Sequence, residues 1–405
     1  MSRVERLALY IALTAITALA IDGVLPAMPM IEADLTPAPP FSGAQIITAL
    51  VLGMSVGELV TGPVSDAVGR RPAVIAGLAI FVLGTILAAM APSFETLVFG
   101  RFLQGVGVAG PKIGTRAMIR DRYAGADMAK VMSIIFTLLI LVPMVAPAIG
   151  AAVAAVTGWR GVFWAYLTLA AGLGTWLWTR HPETLPVERR VPLQPRRLAR
   201  NLAGVVRRID VMPVVIATGF TFGAQLTYFA VAADIFGELY GLPTMMPALF
   251  AILATGTGAA LLLNVRLVGR TGMERPILAG LVLQGASGLG LLAASALTGG
   301  QPPLAVLIGL GWVGFFALGL LFGNLNAFAM RPLGDLAGLG SSIIASVSSL
   351  VAFAFASAVE MVAEGPVWAV AWAFVLAALL SAVFILLAVP DGSRKRLLRT
   401  IGGRR

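Results

Sequence analysis

Gly62-Pro63-Val64-Ser65-Asp66-Ala67-Val68-Gly69-Arg70-Arg71-Pro72 lies between two long apolar runs, 42–64 and 72–91. Each run has about the 20 residues with which an α-helix crosses the ~30 Å hydrocarbon core of a bilayer. The polar piece between them is too short for anything but a tight turn. Gly69 permits backbone that other residues refuse. Arg70 and Arg71 suit a lipid interface, and Asp66 sits beside them. The stretch predicts a hairpin of two membrane-crossing helices.

The rest of the chain repeats this theme. Of its 405 residues, 59% are hydrophobic and 12% charged, against roughly 25% charged in a soluble domain. Long apolar runs recur at 7–29, 42–64, 72–91, 95–115, 131–156, 161–179, 211–233, 245–267, 276–297, 303–328, 338–360 and 366–389. The expected fold is therefore an all-α polytopic membrane protein of twelve transmembrane helices in two six-helix bundles. The 46 glycines fit such a bundle, because small residues let helices approach closely in lipid. The first run is longer than a signal-peptide core and is expected to stay in the chain. There is no cysteine, so disulfide and thiolate chemistry are excluded. The lone His181 reads as a loop residue and not as a metal ligand, since zinc needs several N or S donors.

All but three of the 29 Lys and Arg residues fall on one side of this arrangement. Excess positive charge marks the cytoplasmic side, so both termini are expected there, in a cell inner membrane. The net charge of +10 is thereby explained as topology, and nucleic acid is not an expected partner. An Arg- and Pro-rich stretch at 180–210 divides the chain into 1–179 and 211–390, with a basic tail at 391–405. The turn Ser65–Pro72 has a faint echo in Arg266-Leu-Val-Gly-Arg270 and Glu274-Arg275-Pro276, which suggests pseudo-symmetric halves.

The quoted segment resembles the loop signature G-x-x-x-D-x-x-G-R-R/K of the major facilitator superfamily, carried here by Gly62, Asp66, Gly69, Arg70 and Arg71. In that family the aspartate caps a helix of the opposite half and holds the cytoplasmic gate closed. Arg101-Phe-Leu-Gln-Gly105-Val-Gly107 is similar to its membrane-embedded arginine motif. Leu141-Val-Pro143-Met-Val-Ala146-Pro147-Ala-Ile-Gly150 resembles its antiporter motif, with Ala where Gly is usual. Asp22-Gly-Val-Leu-Pro26, Gly158-Trp159-Arg160 and Arg120-Asp121 resemble the Bcr/CflA branch of drug:proton antiporters.

The resemblance implies secondary transport by alternating access, driven by a proton gradient and needing no cofactor. An ionisable group near the bilayer centre costs at least ~2.5–3.5 kcal/mol, so each is a functional candidate. Asp22 and Arg101 lie at matching depth, which allows either a proton-coupling pair or a static ion pair. Glu58, where the branch usually carries glutamine, reads as a proton relay or as a partner of Arg116 or Arg120. Lys112 is near enough to the interface to snorkel, with no role assigned. Phe222, Gln225, Tyr228, Phe229 and Asn324 are the expected substrate contacts; together with Asp22 they describe an aromatic cavity with few polar groups. That lining suits amphipathic drugs, expelled by a monomer in exchange for protons. A carrier dedicated to one metabolite, and a membrane enzyme or receptor without transport, remain alternative readings. No nucleotide-binding loop of the Gly-x-x-x-x-Gly-Lys-Ser/Thr type occurs.

Overall fold

The computed structural model describes residues 1–38, 41–123, 142–193 and 203–388, with Val131 and Ile135; the side chains of Pro143, Met144 and 334–339 are excepted. The Pro143 side chain, part of the 180–210 linker and the 391–405 tail thus lie outside the described residues.

With no water to receive backbone hydrogen bonds, an apolar chain in lipid must satisfy them internally, and helices do so. Every regular element among the described residues is helical. The order is α1 Arg3–Asp22, α2 Met28–Leu35, α3 Gln45–Val68, α4 Arg70–Ala89, α5 Phe94–Arg122 and α6 Val142–Arg180. It continues with α7 Met212–Ala233, α8 Met246–Thr271, α9 Glu274–Thr298, α10 Leu304–Met330, α11 Ala337–Val362 and α12 Pro366–Ala388.

Among the described residues, ten stretches are long and apolar enough to cross a membrane. The first joins α1 and α2, so the expected span 7–29 is two helices, broken after Asp22 by a short 3₁₀ turn at Leu25–Ala27. Two features make the ten consistent with twelve crossings. α5 falls outside the ten because of its charges, yet its 29 residues are ample. α6 has 39 residues, about 58 Å of helix and nearly twice a hydrocarbon core, and is divided at Gly158 (φ 72°, ψ 177°).

In the first half α5 packs between α3 and α4, and α6 lies on α1 and α4. Glycines make the close approach: a Cβ on Gly105 would stand 2.0 Å from the Leu50 carbonyl, and one on Gly107 2.2 Å from the Phe81 nitrogen. In the second half α7 packs on α11 and α12, α9 on α10 and α12, and α8 on α10. The halves meet along α3–α11 and α6–α8. Large apolar side chains such as Leu83, Val156, Leu297 and Leu379 point outward. In water these would form an aggregation-prone surface; in lipid they match their solvent. Because successive crossings alternate in direction, the α3–α4 turn, the α8–α9 turn and residues 181–193 share one end, hereafter the basic face.

Candidate functional site

The first polar centre lies inside the first half. Arg101 is wholly buried in α5. Its Nε donates to the Ile46 carbonyl at 2.7 Å, Nη1 to Gln104 Oε1 at 2.8 Å and Nη2 to the Ala20 carbonyl at 2.8 Å. Gln104 Nε2 then donates to Thr85 Oγ1 at 2.7 Å. The guanidinium therefore ties α1, α3 and α5 together, with Gln104 extending the network to α4. Phe163 lies beneath it, 6.0 Å from Cζ to ring centre. Among the described residues Asp22 forms neither an ion pair nor a hydrogen bond, although it is buried. The Asp22–Arg101 pair that matching depth allowed does not form. The reason is angular: Arg101 meets α1 at Ala20, and Asp22, two residues on, lies about 200° round the helix.

Asp22 ends α1, and the break after it is packed by the antiporter-like segment. A Cβ on Gly150 would stand 1.9 Å from the Gly23 carbonyl, so that position admits only glycine. Pro147 is buried beside it. Tyr166 of α6 was not anticipated. Its buried hydroxyl has no partner among the described residues and lies within electrostatic reach of both Arg101 and Asp22. The Gly158-Trp159-Arg160 motif acts elsewhere, at the end opposite the basic face. Trp159 Nε1 and Arg160 Nη1 both donate to Asp34 Oδ2, at 3.0 and 2.6 Å, stapling the α6 kink to α2.

The second centre is the α3–α4 turn. Gly69 has φ 111° and ψ 159°, a region essentially closed to side-chain-bearing residues. Arg70 is buried and bonds Asp66, donates from Nε to Asp121 Oδ2 at 2.8 Å, and donates from Nη1 to Ser65 Oγ at 3.1 Å. Arg71 donates to the Trp178 carbonyl and lies over that residue's ring at 4.6 Å. Glu183, also unanticipated, accepts from the backbone N–H groups of Arg70 (3.0 Å) and Arg71 (3.1 Å). It serves as an N-terminal cap for α4, delivered from a remote segment. The Val191 N–H donates to the Asp66 carbonyl at 3.0 Å. The start of the linker is therefore folded onto the turn. Among the described residues the Asp66 carboxylate meets its own half and not a helix of the other. Asp121 joins this cluster; Arg120 stays outside it.

His181 lies in a loop, as expected, just past the end of α6. It is buried, with Nε2 and the Tyr10 hydroxyl 2.9 Å apart, and burial holds the imidazole below its ordinary pKa.

The third centre is Glu58, fully buried in α3. Among the described residues its ion-pair partner is Lys112, with Arg116 within electrostatic reach. Lys112 therefore does not snorkel; α5 carries it to the level of Glu58. Ser349 of α11 donates to Glu58 Oε2 at 3.0 Å.

The residues expected to contact substrate divide into two groups. Phe222 and Gln225 share a partly open face of α7. Tyr228 and Phe229 are packed into a cluster with Phe250 and Phe315. Asn324 donates to Asn264 Oδ1 at 2.7 Å and is committed to that bond. Phe222 is in edge contact with Phe322 at 5.7 Å.

Comparison with known proteins agrees with this architecture. The family model described as Major Facilitator Superfamily matches residues 10–356. Similar sequences include an uncharacterized MFS-type transporter, YdgK, of Bacillus subtilis, 28% identical and covering 86% of this chain and 87% of that one. Another is the bicyclomycin resistance protein homolog of Haemophilus influenzae, 28% identical over 81% of each chain. Multidrug resistance protein MdtL of Salmonella heidelberg is 28% identical over 80% of each. Among solved structures, a D-xylose–proton symporter superposes with a TM-score of 0.72 at 14% identity, covering 95% of this chain and 98% of that one. Identity that low speaks for the fold alone. A family match across most of the length, on a helical membrane fold with this charged turn, makes the chain a transporter belonging to the major facilitator superfamily.

Proposed function

We propose that this transporter expels small amphipathic, drug-like compounds across the inner membrane in exchange for protons. The observation that carries the reading is Asp22: a buried carboxyl, unbonded among the described residues, at the break in the first span. Discontinuous helices are where transporters place coupling-ion and substrate groups, and an intramembrane carboxyl is costly unless it has a task. Gly150 of the antiporter-like segment packs directly on that break. The names of the bicyclomycin and multidrug resistance relatives point the same way.

In this reading Asp22 exchanges a proton for cargo. Arg101 acts as the buried brace that fixes α1 against α3 and α5, so that the state of Asp22 is felt by the whole bundle. Tyr166, with its unpartnered hydroxyl, stands ready to bond the carboxyl or the cargo. Phe222 and Gln225 form the wall contributed by the second half. The bundles 1–179 and 211–390 rock about this centre, joined by the 180–210 linker. The basic face, with both termini, lies in the cytoplasm, and the functional unit is a monomer.

Asp22→Asn is the test. Everted vesicles carrying the parent protein are expected to release protons when ethidium or another cationic drug is added, and the variant is expected not to. Unchanged drug-evoked proton release in the variant removes Asp22 from coupling.

A further inference from the structure

Glu58 lies on a polar seam between the two halves. On α3 the seam is Ser55, Glu58 and Gly62; on α11 it is Ser342, Ser346 and Ser349, residues three or four apart and so on one helix face. Ser346 Oγ donates to the Ser55 carbonyl at 2.6 Å. Ser349 Oγ donates to Glu58 Oε2 at 3.0 Å. A Cβ on Gly62 would stand 2.2 Å from Ser342 Oγ, so the helices touch there through glycine. At the far end Ser42 Oγ donates to Glu360 Oε1 at 2.7 Å. Of these contacts only the one at Glu58 joins the halves through a fully buried carboxylate, and that carboxylate is shared: Oε1 goes to Lys112 of its own half, Oε2 to Ser349 of the other.

We propose that Glu58 and Lys112 are a charge-paired latch that holds the basic-face half of the α3–α11 seam closed. Glu58 is a positioning residue for alternating access. Its hydrogen bond to Ser349 is strong because the acceptor is ionised, and the carboxylate can lie buried because Lys112 neutralises it. When α11 draws away, the bond to Ser349 is lost and the ion pair stays behind in the first half. The inference needs only a transporter whose halves separate. It holds whether or not Asp22 carries the proton.

The chain contains no cysteine, so a single introduced thiol reports directly. Ser342→Cys is suited to this, because that hydroxyl is buried at the seam and makes no hydrogen bond among the described residues. Labelling by a membrane-impermeant maleimide applied to the basic face is expected to be slow in the otherwise unaltered protein. Ser349→Ala is expected to speed it about tenfold, and Ser349→Thr, which keeps the hydroxyl, to restore it. Lys112→Met takes the direct ion-pair partner away from a buried carboxylate and is expected to speed labelling about a hundredfold. Adding Glu58→Gln to Lys112→Met is expected to bring the rate back to within about tenfold of the parent, since removing both charges costs far less than removing one.

Labelling in the parent as fast as at Val206→Cys, an exposed position, overturns the closed seam. A Lys112→Met effect that Glu58→Gln does not reverse overturns the charge pairing. Should the charge variants fail to fold, the Ser349 pair still decides: equal rates for alanine and threonine overturn the latch. A failure here with proton exchange still lost in Asp22→Asn would leave the transport reading intact.

Discussion

The α3–α4 turn and the α8–α9 turn are built alike and furnished differently. Both end a long helix on a glycine with positive φ, Gly69 at 111° and Gly272 at 75°. Both resume three or four residues later at a proline near the start of the next helix, Pro72 and Pro276. Around Gly69 the structure adds a buried arginine, two aspartates and a glutamate from the linker. Around Gly272 it adds one loose, exposed pair, Arg331 and Glu274 at 3.9 Å. The wider halves repeat the contrast. Among the described residues, Asp22, Glu58, Arg70 and Arg101 are buried in the first half, and the buried polar residues of the second half are all uncharged. A shared hairpin geometry has therefore been specialised in one half for holding charge, while the other offers hydroxyls, amides and aromatic rings.

Removing the arginines should separate the two turns most. Arg70→Ala leaves Asp66 and Asp121 facing each other without their common cation, and a stability loss of about 3 kcal/mol is expected. Arg331→Ala should change stability by no more than about 0.5 kcal/mol, since exposed pairs contribute little. Thermal melting of both variants in the same detergent checks this, and equal losses would mean the charged cluster is ornament. The glycines should differ less. Gly69→Ala demands a forbidden backbone angle and also meets Glu183 Oε2 at 2.6 Å, an oxygen fixed by its bond to the Arg71 N–H. Gly272→Ala enters the same forbidden backbone region (φ 75°, ψ −177°) but meets only the movable tip of Glu274 at 2.8 Å. Losses of about 3 and about 1 kcal/mol are expected by the same measurement. Equal losses would show that the backbone strain the two turns share, and not the docked glutamate, dominates.

How legible this was depends on range. Most span positions, the turn and the break between spans 5 and 6 follow from hydrophobic run lengths and a few glycines, all local quantities, and Gly158 falls where the runs part. Pairings across the bundle did not follow. Depth placed Asp22 and Arg101 together, but rotation about the helix axis is invisible to depth. Lys112 was set aside because its distance from the interface permitted snorkelling, while the choice of α3 as neighbour is made by the glycines of α5. Neither Glu183 in its loop nor Asp34 near the end of α2 stands out in the sequence, because a lone carboxylate outside the long apolar runs carries no period. A signal for Glu183 did exist, as an isolated acid next to Pro182 at the start of a basic stretch.

The smallest expected effect concerns His181, which binds the linker's first residues to α1 and has no equivalent at the α8–α9 turn. Its folded pKa is depressed by burial, so the folded state holds fewer protons than the unfolded one in a window below the ordinary value of about 6.5. Stability should therefore rise with pH across that window and be lost as pH falls through it. The slope can reach at most about 1.4 kcal/mol per pH unit for one proton. The Tyr10 hydroxyl, 2.9 Å from Nε2, moderates it only in so far as its oxygen accepts from the protonated ring. His181→Gln should flatten the melting temperature between pH 5 and 7 relative to the parent, with little change at pH 8. An identical slope in the two proteins would show that the imidazole does not carry the acid sensitivity.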